Sequence, residues 1–554
     1  GSWGSHNNHS NNAKKIDGIA ALLKKCCSSL SSLKQIHAHI VRSGLHGNNS
    51  LASLLLSLYA SFYLLPSSLS VVASVPNPTL PLFNSAVRCL SKSPPHSHLA
   101  LRLYLRMTRL PLPLDNFTFP FLLNSCASLS LLPSGAELHA RLAKTGFFPY
   151  LPVANALIDM YGKCGSLAMS RQVFDEMPVR DVVSYNAVLG AHARLGEDMA
   201  RARDLFDGMP ERNVITWNAM VVGYVNAGEL SMARAVFDKM LSRNVVSWTV
   251  LIMGYCKSCL LDAARELFER MPSKNLVSWS VMITGYSQSG RPEESLGLFR
   301  EMERMGVTPD AATMTGVISA AAQLGRSDLA NWISSYVERK GIERNERVLT
   351  ALVDMHAKCG KVELALCLFD EIPCRDAFSY AALINGLASH GHGEKALEIF
   401  YRMLEEGIMP DHIIFVGVLS ACSHARLVDK GLDFWESMVR DYGIERGPDH
   451  YACIVDMLSR AGRLEEAFEM TGRMPAGPHA GALGALLSGC KTYCNLEIAE
   501  SVAWQLFELE PDNTGNYILL SSIYASREQW EDAARVRKMM KERCHRKLPG
   551  SSWS

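Results

Sequence analysis

A nine-residue phrase recurs along this chain at nearly constant spacing, and it restricts the possible folds more than any other feature. It reads VVSYNAVLG from Val182, VITWNAMVV from Val214, VVSWTVLIM from Val245 and LVSWSVMIT from Leu276, so successive starts are 32, 31 and 31 residues apart. The same register gives further starts at Asn49, Leu80, Asn116, Leu151, Ala311, Glu346, Ala377, His412 and Pro448. Self-similarity at this period predicts an array of small repeats rather than one compact core.

Each repeat carries the apolar spacing of two helices. Apolar residues at positions 4, 7, 8 and 11 form the i, i+3, i+4, i+7 stripe of an amphipathic helix. A small residue at position 20 and a phenylalanine at position 24, such as Ala233 with Phe237, mark a second helix. Between them, position 15 is a glycine where a helix must stop, at Gly165, Gly228, Gly290, Gly360, Gly391 and Gly462. We therefore predict stacked helix-turn-helix units, because one hairpin cannot bury its apolar face alone.

Composition excludes several other classes of protein. The 554 residues carry 56 basic and 55 acidic side chains, so a broad cationic surface for nucleic acid is not expected. The sequence has no run of roughly twenty apolar residues, which predicts a soluble chain without a membrane-spanning helix. The 15 cysteines are scattered through apolar segments, and we interpret most of them as reduced core residues.

Residue chemistry at fixed positions, combined with alternating repeat lengths, distinguishes two kinds of helical repeat. Tetratricopeptide arrays keep to 34 residues, whereas spacings here alternate between about 31 and 35 or 36. These alternating lengths resemble the long-and-short class of plant pentatricopeptide repeats associated with RNA editing. The turn YGKCG from Tyr161 and the endings VFDEMP from Val173 and LFERMP from Leu267 share this resemblance. The resemblance covers roughly residues 16–554, and it implies an all-α, right-handed α-solenoid superhelix.

In that family, position 5 and the last residue of a repeat read one RNA base along its Watson–Crick edge. The resemblance implies eight reading pairs: Asn84 with Asp115, Asn155 with Asp181, Asn186 with Asn213, Asn218 with Asn244, Thr249 with Asn275, Ser280 with Asp310, Thr315 with Asn345, and Thr350 with Asp376. The family's code then gives the core target U-N-U-Y-Y-A-G-A-G, read 5′ to 3′. The bases opposite Ser53/Thr79, Pro120/Tyr150, Ala381/Asp411 and Val416/Gly447 stay open. The alternative for any one pair is simple helix capping by its polar side chains.

Two further positions complete the expected RNA surface. The residue at position 2 flanks a base in the family, which assigns base stacking to Val183, Ile215, Val246 and Val277. Cations recur at position 13, where they would follow the phosphate backbone: Lys163, Arg194, Lys257, Lys358 and Arg460. The alternative for these cations is a solvated side chain favoured near a helix C-terminus.

The chain divides into four expected segments. Residues 1–15 are polar and low in complexity, and we expect disordered or non-native sequence there. Residues 16–479 form the array of about 14 repeats. Residues 480–546 resemble the E extension of editing factors, with NYILLSSIYA from Asn516 and WEDAARVRKMM from Trp530 as the two helices of one tetratricopeptide-like hairpin. Residues 547–554 form a tail.

The sequence predicts no enzyme, metal site or cofactor. A zinc deaminase needs an H-x-E followed by a C-x-x-C. His392-Gly393-Glu394 and Cys256-Lys257-Ser258-Cys259 match these patterns by chance, since their order is reversed and they lie in different repeats. Cys490 and Cys494 have no accompanying ligands, so we interpret both as core residues on one helix.

The expected function is recognition of an organellar C-to-U editing site. The repeats would bind single-stranded RNA, with the edited cytidine about four nucleotides beyond the last short repeat. The extension would recruit a DYW-type cytidine deaminase protein and multiple organellar RNA editing factors in trans, without a membrane or small-molecule substrate. The compartment expected is the mitochondrion, with the chloroplast as alternative. Two other readings are an RNA stabilisation or splicing factor and a protein-binding scaffold.

Overall fold

A computed structural model describes residues 15–23, 29–62, 64–108, 115–146, 150–475 and 477–543 of the chain. The predicted 547–554 tail and nearly all of the 1–15 segment lie outside these residues. The regular structure of the described part is helical throughout, and the chain forms two compact units, Gly1–Ser273 and Lys274–Ser554.

The first unit contains helices α1 to α16. They are α1 (15–23), α2 (Leu30–Arg42), α3 (Asn49–Ser61), α4 (Leu65–Ser74), α5 (Leu80–Ser91), α6 (Ser97–Met107), α7 (Thr118–Ser128), α8 (Leu132–Thr145), α9 (Leu151–Lys163), α10 (Leu167–Glu176), α11 (Val182–Leu195), α12 (Met199–Asp207), α13 (Val214–Asn226), α14 (Leu230–Lys239), α15 (Val245–Lys257) and α16 (Leu261–Arg270). A short 3₁₀ helix, Pro94–His96, precedes α6.

The second unit contains helices α17 to α32. They are α17 (Leu276–Gln288), α18 (Pro292–Arg304), α19 (Ala311–Leu324), α20 (Ser327–Arg339), α21 (Glu346–Lys358), α22 (Val362–Asp370), α23 (Ala377–Ser389), α24 (Gly393–Glu405), α25 (His412–His424), α26 (Val428–Arg440), α27 (Pro448–Arg460), α28 (Leu464–Gly472), α29 (Ala480–Tyr493), α30 (Leu496–Leu509), α31 (Thr514–Ser526) and α32 (Trp530–Arg543).

Both units are stacks of helical hairpins, as predicted. From α3 to α15 in the first unit, and from α17 to α31 in the second, each odd-numbered helix packs on the next odd-numbered helix. Within these runs, each even-numbered helix packs on the odd-numbered helices before and after it. Within each unit these odd-numbered helices are therefore the first helices of the hairpins and form one layer, against which the even-numbered helices pack.

First helices begin where the repeated phrase predicts them, with one exception. The exception is α7, which begins at Thr118 rather than at Asn116. The Asp115 carboxylate accepts hydrogen bonds from the backbone N–H groups of Phe117 and Thr118, at 3.2 and 2.9 Å. The chain therefore makes a capping turn over residues 116 and 117 before the helix begins.

The predicted turn glycines adopt a conformation that other residues avoid. Those at position 15 have φ between 69° and 80°, in the left-handed region. Glycine enters this region without the steric cost that a Cβ atom brings. This confirms that the first helix of these repeats stops at position 15.

Aromatic contacts join consecutive repeats. Phe237, at position 24, packs edge to face on Trp248 at position 4 of the next repeat, with ring centroids 4.9 Å apart. Phe206 packs on Trp217 in the same way at 4.8 Å. Edge-to-face pairs contribute roughly 0.5–1.5 kcal/mol beyond the burial of area. The marker residues of the second helix therefore hold one repeat against the next.

Cysteines in the described part of the chain form no disulfide. Cys126, Cys256, Cys422 and Cys490 are buried, as expected of core residues. Cys494 is an exception, and its predicted core position is wrong. It is exposed and follows the end of α29 with φ of 55°, because the chain turns there into α30. None of the described helices is long and apolar enough to cross a membrane.

Candidate nucleic-acid interface

The last residue of a repeat caps the first helix of the next repeat. The side-chain oxygens of Asp181, Asn213 and Asn244 accept hydrogen bonds from the backbone N–H three residues further on, at 2.8, 3.0 and 3.0 Å. The same capping bond is made by Asp115, Asn275, Asp310, Asn345 and Asp376. The alternative of helix capping is thus correct for the terminal residue of all eight pairs, and the capping bond fixes where that side chain lies.

In the first unit, the structure brings four position-5 asparagines to these caps. The Asn84 amide nitrogen donates to Asp115 Oδ2 at 2.9 Å. Three other amides contact their caps: Asn155 with Asp181 at 3.4 Å, Asn186 with Asn213 at 3.4 Å, and Asn218 with Asn244 at 3.2 Å. Each pair is therefore one contiguous polar site at the junction of two repeats.

In the second unit, three position-5 residues carry hydroxyl groups that line a groove. Ser280, Thr315 and Thr350 border a cavity of about 700 Å³, together with the caps Asn345 and Asp376. The Thr315 hydroxyl donates to the Ala311 carbonyl of its own helix at 2.8 Å, and Thr350 is buried. Within its own helix, Thr249 makes the same kind of bond to Val245 at 2.8 Å. Asn275, the partner predicted for Thr249, caps α17 in the second unit.

Capping decides which hydrogen-bonding group each terminal residue retains. An asparagine that caps through its oxygen still has its amide N–H groups to donate. An aspartate that caps through one oxygen still has a second oxygen, which only accepts. Burial raises the pKa of the Asp181 carboxyl, but hydrogen bonds from Ser184 and Asn155 outweigh it, so this pKa lies below its usual value. Asp181 is therefore an ionised acceptor at neutral pH.

Apolar side chains at position 2, two residues after the terminal residue of the preceding repeat, are exposed. Val183, Ile215, Val246 and Val277 are all more than half exposed, between 53 and 65%. Exposure of large apolar groups in one register is unusual unless they contact something. Phe117, Phe378 and Ile413 occupy the same position and are also exposed, although they were not among the stacking residues predicted from the sequence. Their place in the register was the signal that would have found them.

The cations at position 13 are mostly paired with carboxylates. Lys163 contacts Asp159 at 2.6 Å, and Arg194 of the next repeat contacts the same carboxylate at 3.1 Å. Lys358 pairs with Asp354 at 2.9 Å and Arg460 with Asp456 at 2.8 Å. These aspartates all occupy position 9, one helical turn earlier, and the pairing was not predicted from the sequence. Lys257 is exposed, and position 9 of its repeat is the uncharged Met253.

Other repeats use position 13 to bond the preceding repeat. The Asn226 amide donates to the Ala193 carbonyl at 2.8 Å, and the Gln323 amide donates to the Ser287 carbonyl at 2.8 Å. The His424 Nδ1 atom contacts the Ala388 carbonyl at 2.7 Å. These bonds satisfy carbonyl groups near the C-terminal end of the neighbouring first helix. Position 13 therefore has a structural role in part of the array.

The candidate zinc motifs do not form a site in the described residues. No group of three or more histidine, cysteine, aspartate or glutamate side chains there could hold a metal ion. Burial raises the pKa of the Cys256 thiol to about 12, so the thiolate that zinc requires is disfavoured. Glu394 lies in the first turn of α24 in the second unit, whereas Cys256 belongs to the first.

The carboxyl extension continues the hairpin pattern with a different surface. Phe507 of α30 stacks on Tyr517 of α31 with ring centroids 3.9 Å apart and an interplanar angle of 5°, which joins its two hairpins. Trp530 is exposed at the start of α32. It borders a cavity of about 320 Å³ that is also lined by Arg537, Lys538 and Lys541. The extension thus carries an aromatic and cationic groove.

Repeated hairpins, several of them with a polar pair at their junction, define a helical-repeat protein. Family models for the PPR repeat match residues 153–182, 215–245, 246–276, 347–376, 378–408, 413–442 and 449–476. A second PPR repeat family model matches residues 274–323, and the E motif model matches residues 493–554.

Relatives matched along nearly the whole chain show the same family. A putative pentatricopeptide repeat-containing protein of Arabidopsis thaliana is 43% identical over 534 residues, which cover 96% of this chain and 97% of the relative. A putative mitochondrial protein of this kind from the same plant is 36% identical, covering 97% and 71%. The chloroplastic protein CRR2 is 32% identical, covering 96% and 68%. The chain belongs to the pentatricopeptide repeat family.

The solved structures include a similar chain as well. The crystal structure of the pentatricopeptide repeat protein PPR10 from maize is 19% identical, with a TM-score of 0.48, and the match covers 95% of this chain and 86% of that one.

Proposed function

We propose that this protein binds one single-stranded RNA sequence and directs C-to-U editing of a nearby cytidine in a plant organelle. The observation that carries the proposal is the recurring junction of the first unit, where an asparagine at position 5 contacts a capping Asp or Asn. Four such sites in one register offer one reading site per repeat. An exposed apolar residue at position 2 is available to flank the base.

The chemistry left by capping accounts for the code that the family resemblance implies. On the Watson–Crick edge, the ring nitrogen of U and G carries a hydrogen, whereas that of A and C is a bare acceptor. A capping aspartate retains an acceptor and suits U or G, while a capping asparagine retains donors and suits A or C. The proposed reading of G by Thr350 with Asp376 and of A by Thr315 with Asn345 follows this rule.

The same rule narrows the proposed RNA sequence at two of its bases. The proposed core remains U-N-U-Y-Y-A-G-A-G, with the first U opposite Asn84/Asp115 and the last G opposite Thr350/Asp376. At the two Y positions, opposite Asn186/Asn213 and Asn218/Asn244, the capping asparagine favours C. Binding would depend on placed groups rather than on net charge, which fits a formal charge of +1.

The editing role is supported by the extension. The E motif match and the groove beside Trp530 fit a docking surface for a protein supplied in trans. We propose a DYW-type deaminase and its accessory editing factors as these partners, and the mitochondrion as the compartment. Relatives named as mitochondrial and as chloroplastic support an organelle of either kind.

A gel-shift series tests the reading of RNA. The protein is mixed with U-N-U-Y-Y-A-G-A-G and with a version that has purines at both Y positions. We expect tighter binding of the first, by on the order of 1 kcal/mol per mismatch. Asn218→Ala, which leaves the cap Asn244 in place, should reduce this difference at the fifth base only. Equal binding of both RNAs would exclude the coded reading and favour a protein-binding scaffold.

Sequencing organellar transcripts from a plant that lacks the gene tests the editing role. Loss of editing at one cytidine downstream of the core would support it. A transcript of altered abundance or splicing with all sites edited would instead identify a stabilisation or splicing factor.

A further inference from the structure

We propose that the hydroxyl at position 3 of a repeat sets the base specificity of the repeat before it, by fixing the orientation of that repeat's position-5 asparagine. This inference rests on the proposed reading of bases by the polar pairs. The residues concerned are Thr118, Thr216 and Ser247, which are fully buried and lie in the first turn of α7, α13 and α15.

The distances place each of these hydroxyls on the preceding asparagine. Thr216 Oγ1 lies 2.7 Å from Asn186 Oδ1, and Ser247 Oγ lies 2.6 Å from Asn218 Oδ1. Thr118 Oγ1 lies 2.6 Å from Asn84 Oδ1. The contact therefore recurs at three junctions of the first unit, each time across a repeat boundary.

A hydroxyl has one hydrogen to donate, so its acceptor must be identified. Ser247 Oγ is also 2.9 Å from Asn244 Oδ1. That oxygen already accepts from the Ser247 backbone N–H at 3.0 Å and from the Asn218 amide at 3.2 Å. The Asn218 oxygen is nearer and has no such pair of donors, so we assign the hydrogen to it. Ser247 Oγ in turn accepts from the Asn244 backbone N–H at 3.2 Å.

This bond gives the amide a single orientation. A carboxamide presents a donor at one end and an acceptor at the other, and a 180° rotation exchanges them. U and C present opposite patterns, since U offers N3–H and O4 whereas C offers N3 and the N4 amino group. An amide free to rotate could match either base, whatever the terminal residue. An amide held in one orientation leaves the choice between U and C to the terminal residue, as at Asn84 with Asp115 and at Asn218 with Asn244. With its oxygen held by Ser247 and its nitrogen by Asn244, Asn218 presents one pattern only.

Repeats without an asparagine at position 5 use the same hydroxyl differently. Ser379 has the same capping bonds as Ser247, but its hydroxyl donates to the Asp376 backbone carbonyl at 2.8 Å. The preceding position-5 residue is Thr350, which has no amide to orient.

At the Asn155 junction, Ser184 Oγ lies 2.8 Å from Asp181 Oδ1, and the buried Asn155 oxygen has no partner among the described residues. The contact with asparagine is thus separable from capping.

Ser247→Ala and Ser379→Ala form a matched pair for the test. Both remove a buried capping hydroxyl at position 3, so both should lower the thermal midpoint to a similar extent. Affinity is measured for four RNAs that differ at the fifth base, opposite Asn218/Asn244, and for four that differ at the ninth, opposite Thr350/Asp376. The readout is the ratio between the tightest and the weakest of the four affinities, which capping alone would not change.

We expect Ser247→Ala to reduce the ratio at the fifth base by about fivefold, the equivalent of one hydrogen bond. Ser379→Ala should leave the ratio at the ninth base unchanged. Ser247→Thr should restore the ratio at the fifth base, because Thr216 makes the same contact in the preceding repeat.

Two results would overturn the inference while the coded reading stands. One is an unchanged ratio at the fifth base in Ser247→Ala, and the other is an equal loss at the ninth base in Ser379→Ala. If the unmodified protein shows no base preference at either position, the coded reading itself fails, and this inference fails with it.

Discussion

The carboxylate of Asp159 lies 3.1 Å from the guanidinium of Arg194 in the following repeat. Asp159 also pairs with Lys163 one turn further along its own helix, at 2.6 Å. Two of the five cations proposed to contact phosphate therefore share one carboxylate. A phosphate must displace or share this ion pair to be bound. Lys257 has the uncharged Met253 at position 9 of its repeat, so a phosphate can bind it without displacing such a pair.

Lys257→Ala should lower the salt dependence of RNA binding. Loss of one phosphate contact reduces the slope of log K against log salt by about 0.7 for a single strand. Lys163→Ala should reduce the slope less, because Asp159 already compensates the charge of Lys163. Titrations of the core RNA between low and high salt measure both slopes. Equal slopes for the two variants and the unmodified protein would exclude position 13 from phosphate binding.

Asn213→Asp should shift the preference at the fourth base from C toward U. The substitution preserves the cap, since Asp181 caps the preceding first helix in the same way. It replaces amide donors by a carboxylate oxygen, which requires the N3–H group of U. We expect the U-over-C ratio to rise about fivefold, the equivalent of one hydrogen bond. The reciprocal control is Asp181→Asn, which should lower the same ratio at the third base. If neither ratio moves, the proposed register is incorrect.

Phe378→Ala should weaken RNA binding without destabilising the fold. Phe378 occupies position 2 and is 70% exposed, so its removal leaves no cavity. Stacking of a base on an aromatic ring contributes roughly 1–3 kcal/mol, which corresponds to at least a fivefold loss of affinity. Leu364→Ala is the control, because Leu364 is an exposed apolar residue on the second helix α22. Filter binding and thermal melting of both variants separate the two effects.

Gly386→Ala should destabilise the second unit, whereas Gly297→Ala should stabilise it. Both glycines lie inside helices, where alanine is favoured by up to about 1 kcal/mol. A Cβ at Gly386 would lie 2.2 Å from the Cβ of Ala357 in the preceding first helix. Such overpacking costs roughly 1–3 kcal/mol. A Cβ at Gly297 would meet no atom within 4 Å. The shift of thermal midpoint should have opposite sign in the two variants, and shifts of the same sign would contradict the close approach.

Acid should destabilise the second unit through His356. Burial, with a contribution from Lys361, lowers the pKa of His356 to about 4. The unfolded chain takes up a proton near pH 6.5 and the folded chain does not, so stability is complete above pH 6.5 and falls as the pH drops toward 4. The loss at pH 5 is about 2 kcal/mol. His356→Gln should lose less stability between pH 7 and pH 5, as measured by urea denaturation, and an identical loss would contradict this account.

The sequence by itself determined the period, the hairpins and the start of nearly every first helix. These features depend on contacts within a few residues, such as the bond from the Asn213 oxygen to the Thr216 backbone N–H and the left-handed glycine at Gly228. Local hydrogen bonds and backbone sterics repeat whenever the residues repeat. The register also located the polar pairs, because both members stand at fixed positions.

Only the tertiary structure decided how those side chains are oriented and which charges are paired. Arg194 meets Asp159, and Thr216 meets Asn186, across a repeat boundary. Each contact depends on how one first helix packs against the next, which the spacing of residues along one helix does not specify. Two repeats with the same local sequence pattern, those of Ser247 and Ser379, therefore direct the same hydroxyl to different acceptors, because their neighbours differ.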